Sequence, residues 1–256
     1  MNYSNFLKSI IDTSYLAGEK ILEIYYDNNY KSSIEIKKDA SPLTIADKAS
    51  NDVIINSLKK INTKIPILSE EEKEIDFSSR KDWKRFWLVD PLDGTKEFIN
   101  RNGEFTVNIA LIEDSSPVMG VVYAPVKKKL WYGLKNHGSF LINNNEKPIK
   151  ISKKKPLDEI IKIVSSRSHA NDKKLKKYLK KFKKHEIVSM GSSIKMCLVA
   201  DGTAHYYPRF GPTMEWDTGA AHAVVKYANG NIYNIDTKEE LIYNKENLLN
   251  PGFIVK

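Results

Sequence analysis

Asp90 and Asp93 stand three residues apart in W-L-V-D-P-L-D-G-T, directly after the apolar run at residues 86–89. That run reads as a buried strand, and the Asp-Pro and Asp-Gly steps after it turn the chain, which brings two carboxylates to a strand end. Pro91 narrows their relative placement through its fixed φ, and Gly94 allows a backbone conformation that other residues avoid. Leu92 offers a main-chain carbonyl between them. Hard divalent cations take such oxygens as ligands, so the stretch reads as half of a metal site, although an Asp/Gly/Pro turn alone has the same composition.

Further carboxylates supply company. Glu70 and Glu71 lie in S-E-E-E after the apolar run 65–68. Acids clustered there repel one another unless a cation or solvent separates them, and a solvated acidic loop is the other reading. Asp217, in E-W-D, opens a predicted helix, where metal ligation and N-capping both suit a carboxylate. G-S-S at 191–193 begins another helix whose free amides and small hydroxyls suit an anion, with Lys195 one turn from Ser192 on the same side; a plain N-cap at Ser192 is the alternative. A cysteine-phosphatase loop lacks support, because Thr203 rather than arginine stands six positions after Cys197, and the Asp90/Asp93 spacing differs from the D-x-D of aspartyl-phosphate enzymes. The chain also has no G-x-x-x-x-G-K-[ST] loop and no H-E-x-x-H helix.

The elements that must carry these residues follow from periodicity. Residues 4–27 read as a long amphipathic helix, and Ser41-Pro42 reads as an N-cap and first position for a second helix bearing Thr44 and Asp47 on its first turns. Residues 105–112 and 117–124, then 129–134 and 139–143, are short-linked strand pairs, so the first half reads as α+β with an antiparallel sheet. The polar stretch 74–84 reads as a loop or lid. A soft boundary near 155 divides residues 1–155 from 156–256, where strands and helices alternate. There 160–165, 186–190 and 204–207 read as strands, and 171–184 as a lysine-rich amphipathic helix.

Composition places the chain among globular proteins, with 41% hydrophobic and 29% charged residues. A single cysteine and no recognisable leader or apolar span lead to the expectation of a cytoplasmic protein, with the 171–184 helix leaving open a peripheral contact at the inner membrane face. The formal charge of +9 suits nucleic acid, an anionic membrane or a small anionic substrate, and equally plain surface lysine.

Three ordered motifs, S-E-E at Glu70, D-P-L-D-G-T from Asp90 and W-D at Asp217, resemble the inositol monophosphatase superfamily of metal-dependent, lithium-sensitive phosphatases. Within it the chain is similar to the 3′(2′),5′-bisphosphate nucleotidases of CysQ type. That similarity rests on D-x-S-P-x-T-x-A-D from Asp39, L-D-G-T-K-E-F-I, R-N-G-E-F-T-V-N-I-A-L-I, S-R-S-H, G-S-S-I-K, Y-P-R-F-G-P-T and the late N-P-G-F. It spans nearly the whole chain. Gly219-Ala220-Ala221 departs from the Ala-Ala-Gly common in relatives, which bears on local packing alone.

The resemblance implies layers of helix and sheet in the order α-β-α-β-α, the inositol monophosphatase/fructose-1,6-bisphosphatase type of α+β fold. It implies Mg2+ held by Glu70, Asp90, the Leu92 carbonyl, Asp93 and Asp217, with Glu71 touching a further ion through water. Thr95 and Asp47 would orient the attacking water, Gly94 and Thr95 amides would hold the scissile phosphate, and Ser192, Lys195, Arg209 and His169 would contact the nucleotide. The implied reaction is hydrolysis of the 3′-phosphate of adenosine 3′,5′-bisphosphate, a disposal step in sulfate assimilation. The implied partner is a small anionic nucleotide and not a stably bound nucleic acid, for a monomer or homodimer. An inositol or sugar monophosphatase on the same metal site is the nearest rival; a non-catalytic RNA- or membrane-binding protein is the rival of another class.

Overall fold

The computed structural model describes residues 3–27, 34–36, 42–156, 160–167 and 173–256. In chain order the elements are α1 (Ser4–Tyr25), β1 (Ile34–Ile36), β2 (Pro42–Thr44), α2 (Ile45–Ile61), β3 (Ile67–Ser69), α3 (Phe77–Arg80), β4 (Arg85–Asp93), α4 (Thr95–Ile99), β5 (Thr106–Glu113), β6 (Ser116–Ala124) and β7 (Lys129–Leu134). They continue as β8 (Gly138–Asn143), β9 (Ile149–Ile151), β10 (Ile161–Ser165), α5 (Lys173–Leu179), β11 (His185–Ser189), α6 (Ile194–Ala200), β12 (Tyr207–Arg209), α7 (Glu215–Tyr227), β13 (Ile232–Asn234) and β14 (Phe253–Val255).

A seven-stranded sheet, β3 to β9 in sequence order, is the centre of the molecule. Period-2 alternation sends the apolar residues of β4 to both faces: Phe86 and Leu88 join the core under α6 and α7, while Trp87 and Val89 join the core under α1 and α2. A strand apolar on both faces needs cover on both, which the helices supply. On the α7 side that cover is close. A Cβ at Gly120 would stand 2.2 Å from the Ala220 carbonyl oxygen, and one at Gly133 would stand 2.4 Å from that of Ala223. Both strands therefore need glycine where the helix backbone touches them.

Beyond α6 and α7 lies a second strand layer, the parallel pair β10–β11 and the antiparallel set β12–β14–β13, joined by a bridge between Ile163 and Tyr206. On its far side α5 buries Leu175 and Leu179 against Ile163. Helix, sheet, helix, sheet, helix is thus the layer order.

Several boundaries differ from the sequence reading. Pro42 belongs to β2 and pairs with Ile36, so the second helix starts at Ile45 instead, with Asp47 in its first turn; Ser41 lies outside the described residues. The lysine-rich helix ends at Leu179, and turns carry the chain on to β11. Among the described residues of that stretch the apolar Leu175, Tyr178 and Leu179 are buried in the protein. The strand expected at 204–207 instead occupies Tyr207–Arg209. The stretch 74–84 is pinned: buried Arg80 donates to the carbonyls of Ile75, Lys245 and Glu246 and to Asn244 Oδ1. Among the described residues no helix is long and apolar enough to cross a membrane.

Candidate active site

The carboxylates converge because of how β3 and β4 pair. The two strands run parallel with Ser69 opposite Val89, so Glu70, the next residue, emerges beside Asp90. On a regular strand Asp90 and Asp93 would point to opposite faces, three residues being an odd count. The register prevents this: Asp90 pairs with Asn108 and Asp93 with Thr106, three residues on β4 against two on β5. This bulge at Pro91-Leu92 turns both aspartates towards one end of the sheet.

Asp217 arrives from α7, in its first turn, where its carboxylate takes the Met214 N–H at 2.8 Å. Glu70, Asp90 and Asp217 each bring a carboxylate oxygen within 4.8 Å of the others'. Two oxygens bound to one hard cation at about 2.0–2.6 Å lie no farther apart than roughly 4–5 Å, so the cluster has the spacing of a cation site. Asp90 adds a second indication. Its Oδ1 accepts the Leu92 N–H at 3.0 Å, whereas its Oδ2 is buried with no hydrogen-bond partner. A buried carboxylate oxygen without a donor is costly unless a cation meets it.

Burial, reinforced by the neighbouring acids Glu70, Asp93, Asp217 and Asp47, pushes the Asp90 carboxyl well above the usual range. Burial and the negative charge on Asp93 and Glu70 do the same to Asp217. Asp93 is raised to about 6 by burial, a rise limited by the Lys195 ammonium and by the Ser193 N–H, which donates to its Oδ2. Lys195 in turn is lowered to about 8 by burial, with Asp93 opposing the shift.

Beside the acids, Thr95 Oγ1 lies 3.3 Å from Asp47 Oδ1, to which it donates, and 3.5 Å from the Leu92 carbonyl. Gly94, at φ +95°, precedes α4 and leaves Thr95 at the helix start. A single cavity is then lined by Asp93, Gly94, Ser192, Lys195, Arg209 and Asp217. Ser192 holds a left-handed backbone at φ +48°, and Ser193 rather than Ser192 stands at the N-cap position of α6. Lys195 Nζ sits 5.6 Å over the Tyr207 ring. Glu70, Asp90 and Asp217 form the carboxylate cluster, Thr95 bonds Asp47 and lies by the Leu92 carbonyl, and Asp93, Gly94, Ser192, Lys195 and Arg209 share the cavity with Asp217; Glu71 is in none of these groups, and His169 lies outside the described residues.

Other participants were not singled out from sequence. Glu97 and Tyr207 line the cavity, Ser193 bonds both Asn108 and Thr106, and Glu104 pairs with Arg167. Their only earlier trace is membership of the strings K-E-F, Y-P-R-F, G-S-S and R-N-G-E, in which nothing local distinguishes them.

The inositol monophosphatase family model matches residues 2–253. The chain belongs to this family. Its members are metal-dependent phosphatases, and the carboxylate cluster is in keeping with that. Among relatives, the 3′(2′),5′-bisphosphate nucleotidase CysQ of Salmonella typhimurium is 44% identical over 249 residues, covering 97% of this chain and 98% of that one. The protein of the same name from Escherichia coli is 44% identical over 239 residues, covering 93% and 94%. The crystal structure of CysQ from Bacteroides thetaiotaomicron superposes with a TM-score of 0.88 at 44% identity, covering 100% and 98%. An inositol monophosphatase from Thermotoga maritima shares the family fold, at a TM-score of 0.76 and 22% identity with 98% and 91% covered.

Proposed function

We propose that this member of the family is a Mg2+-dependent 3′(2′),5′-bisphosphate nucleotidase that converts adenosine 3′,5′-bisphosphate to AMP and phosphate. The observation that carries the reading is one cavity that joins two kinds of group. The carboxylates Asp93 and Asp217 line it with Gly94, and so do the hydroxyl and cationic residues Ser192, Lys195 and Arg209. A monoester has no use for the second set of cationic donors. The names of the relatives at 44% identity point the same way.

Glu70, Asp90, the Leu92 carbonyl, Asp93 and Asp217 are the residues that would hold Mg2+, which supplies a low-pKa water and neutralises charge on the phosphate oxygens. The chain's own residues do the rest. Thr95 Oγ1, by donating to Asp47, keeps a lone pair for a proton of the attacking water, and Asp47 receives the charge that builds as that proton moves. The amides at the start of α4 face the scissile phosphate, and Ser192, Lys195 and Arg209 receive the other one.

Phosphate release from adenosine 3′,5′-bisphosphate and from inositol 1-phosphate, with Mg2+ and with Mg2+ plus Li+, tests the reading. The expected result is a preference for the bisphosphate and inhibition by lithium. A preference for inositol 1-phosphate would keep the metal site and overturn the nucleotide assignment.

A second expectation concerns stability. Asp90, Asp93 and Asp217 have folded-state pKa values above their unfolded ones, so the native state binds their protons more tightly. The contribution of Asp93 is complete below about pH 4 and is lost as pH rises through about 6, and those of Asp90 and Asp217 are lost in the same direction as pH rises. Mg2+ binds the deprotonated site and reverses that loss. At a hundred times its dissociation constant it should add about 2.7 kcal/mol, or roughly 5–10 °C in Tm at pH 7.5, and clearly less at pH 5. Calorimetric scans with and without Mg2+ at the two pH values check this; an equal shift at both would contradict it.

A further inference from the structure

Glu104 is buried, 6% exposed, and its carboxylate hydrogen-bonds none of the groups assigned to the reaction. Arg167 holds it bidentately, Nη2 on Oε1 at 2.8 Å and Nη1 on Oε2, and the Gly191 N–H donates to Oε2 at 2.8 Å. Its own N–H is fixed by Asn102 Oδ1 at 2.9 Å. Burial would push its carboxyl up, but Arg167 and the Gly191 amide outweigh burial and leave it below the usual range.

The location of this pair is what matters. The Glu104 carbonyl oxygen lies between two glycines: a Cβ at Gly191 would stand 2.7 Å from it, and a Cβ at Gly94 would stand 3.2 Å from it. Gly94 opens the α4 turn, which comes from the seven-stranded sheet. Gly191 opens the Ser192-Ser193 turn, which comes from the second strand layer and leads to Lys195. The two turns touch directly, Ser192 Cβ standing 3.3 Å from a Cβ placed at Gly94, and Glu104 braces that contact: its side chain grips the second turn while its carbonyl packs against both. Downstream of that grip, the Ser193 N–H reaches Asp93 and Ser193 Oγ reaches Asn108. Arg167 follows Ser166, a cavity-lining residue, and its side chain is 52% exposed. The ion pair therefore runs from the rim of the cavity to the joint beneath it.

We propose that Glu104, with Arg167 as its counter-ion, is a positioning residue that sets the separation of the two anion-holding turns and so fits the cavity to a substrate with two phosphates. This rests on the reading that Gly94-Thr95 and Ser192-Lys195 receive different phosphates. A bidentate carboxylate–guanidinium pair suits the task because its fork geometry fixes direction as well as distance. A misplacement near 1 Å is enough to cost about 10²-fold in rate, so partial loosening should be readable.

Three variants test it: Glu104→Gln, Arg167→Met and Arg167→Lys. Arg167 is half exposed, so its variants should fold even if Glu104→Gln does not. For adenosine 3′,5′-bisphosphate, kcat/KM should fall about tenfold in Glu104→Gln and Arg167→Met, chiefly through KM, with Arg167→Lys in between. For p-nitrophenyl phosphate, which needs one turn only, it should change by less than about twofold. The double variant Glu104→Gln/Arg167→Met should be no worse than the poorer single one. Equal losses on both substrates, in step with a lower Tm, would mean a merely structural pair and overturn the proposal, as would additive losses in the double variant. Calorimetric binding of adenosine 3′,5′-bisphosphate and of inorganic phosphate to the metal-free protein separates this from failure of the parent reading. Affinity for the bisphosphate should drop about tenfold in Glu104→Gln and Arg167→Met, and that for inorganic phosphate by less than about twofold, whether or not the wild type hydrolyses the bisphosphate; equal losses for both ligands, or unchanged affinity for the bisphosphate, overturn the proposal, and no binding of the bisphosphate to the wild type overturns the parent reading with it.

Discussion

Asp90→Asn should lower phosphatase turnover by about 10³-fold or more while leaving the metal-free protein at least as stable as the wild type. The shape of the side chain is kept, and an amide oxygen can still accept the Leu92 N–H that Oδ1 accepts at 3.0 Å. What disappears is a negative charge among Glu70, Asp93 and Asp217. In the metal-free protein that charge is a burden, since burial and the like charges around it oppose it. Its removal should raise the metal-free Tm by a few degrees at pH 7.5, on the order of 1 kcal/mol. With a divalent cation the sign reverses. Electrostatic stabilisation by a bound metal amounts to several kcal/mol, and each 1.4 kcal/mol lost costs about a factor of ten. The two measurements are phosphate release at saturating Mg2+ and thermal unfolding in chelator. A variant that is both inactive and less stable without metal would show that Asp90 is needed for folding and not for a cation.

Lys195→Met should reduce kcat/KM for adenosine 3′,5′-bisphosphate by about 10²-fold and that for inositol 1-phosphate by only several-fold. Lys195 is 7% exposed, with its ammonium over Tyr207 and near Asp93. Methionine nearly fills the same volume, so the change is one of charge. Charge-assisted hydrogen bonds contribute about 1.5–3 kcal/mol, which sets the expected loss on a substrate whose second phosphate they meet. The smaller loss on the monoester follows from Asp93: without Lys195 its carboxyl rises further, and the cation site is weakened for every substrate. Steady-state kinetics on both substrates give the ratio that decides, and Arg209→Met should repeat the pattern. Equal losses on the two substrates would remove the basis for a second-phosphate pocket.

The chemistry of the metal site was legible in the sequence because its components are local in origin. Asp90, Leu92, Asp93 and Gly94 lie within five residues, and the consequences of proline and glycine for the backbone around them need no distant partner. The helix faces of α1 and α7 were likewise legible from 3.6-residue spacing, and the strand pairs of the large sheet from their short links. The order of the motifs carried the family, and with it the layer sequence.

The reading failed where a local pattern admits two structures and tertiary contact selects one. Ser-Pro suits a helix start, yet Pro42 pairs with Ile36 in a hairpin, because the bridge to another strand outweighs a local preference. The lysine-rich stretch has helical spacing beyond Leu179, but its helix stops there and its apolar residues are taken up by the second strand layer. Gly120 and Gly133 look like ordinary strand glycines until α7 is laid against them.

The sequence by itself determined which groups are present for catalysis and anion binding, since oxygen ligands, small hydroxyls and buried cations are properties of residue types. Only the tertiary structure decided which of them share a site. Glu70 stands beside Asp90 through the parallel register of β3 and β4, Thr95 meets Asp47 across 48 positions, and Glu104 joins two turns 97 positions apart, Gly94 and Gly191. Such encounters depend on strand register and on how closely backbones approach. Both are set by the burial of the whole apolar core and not by any stretch of chain that contains the residues.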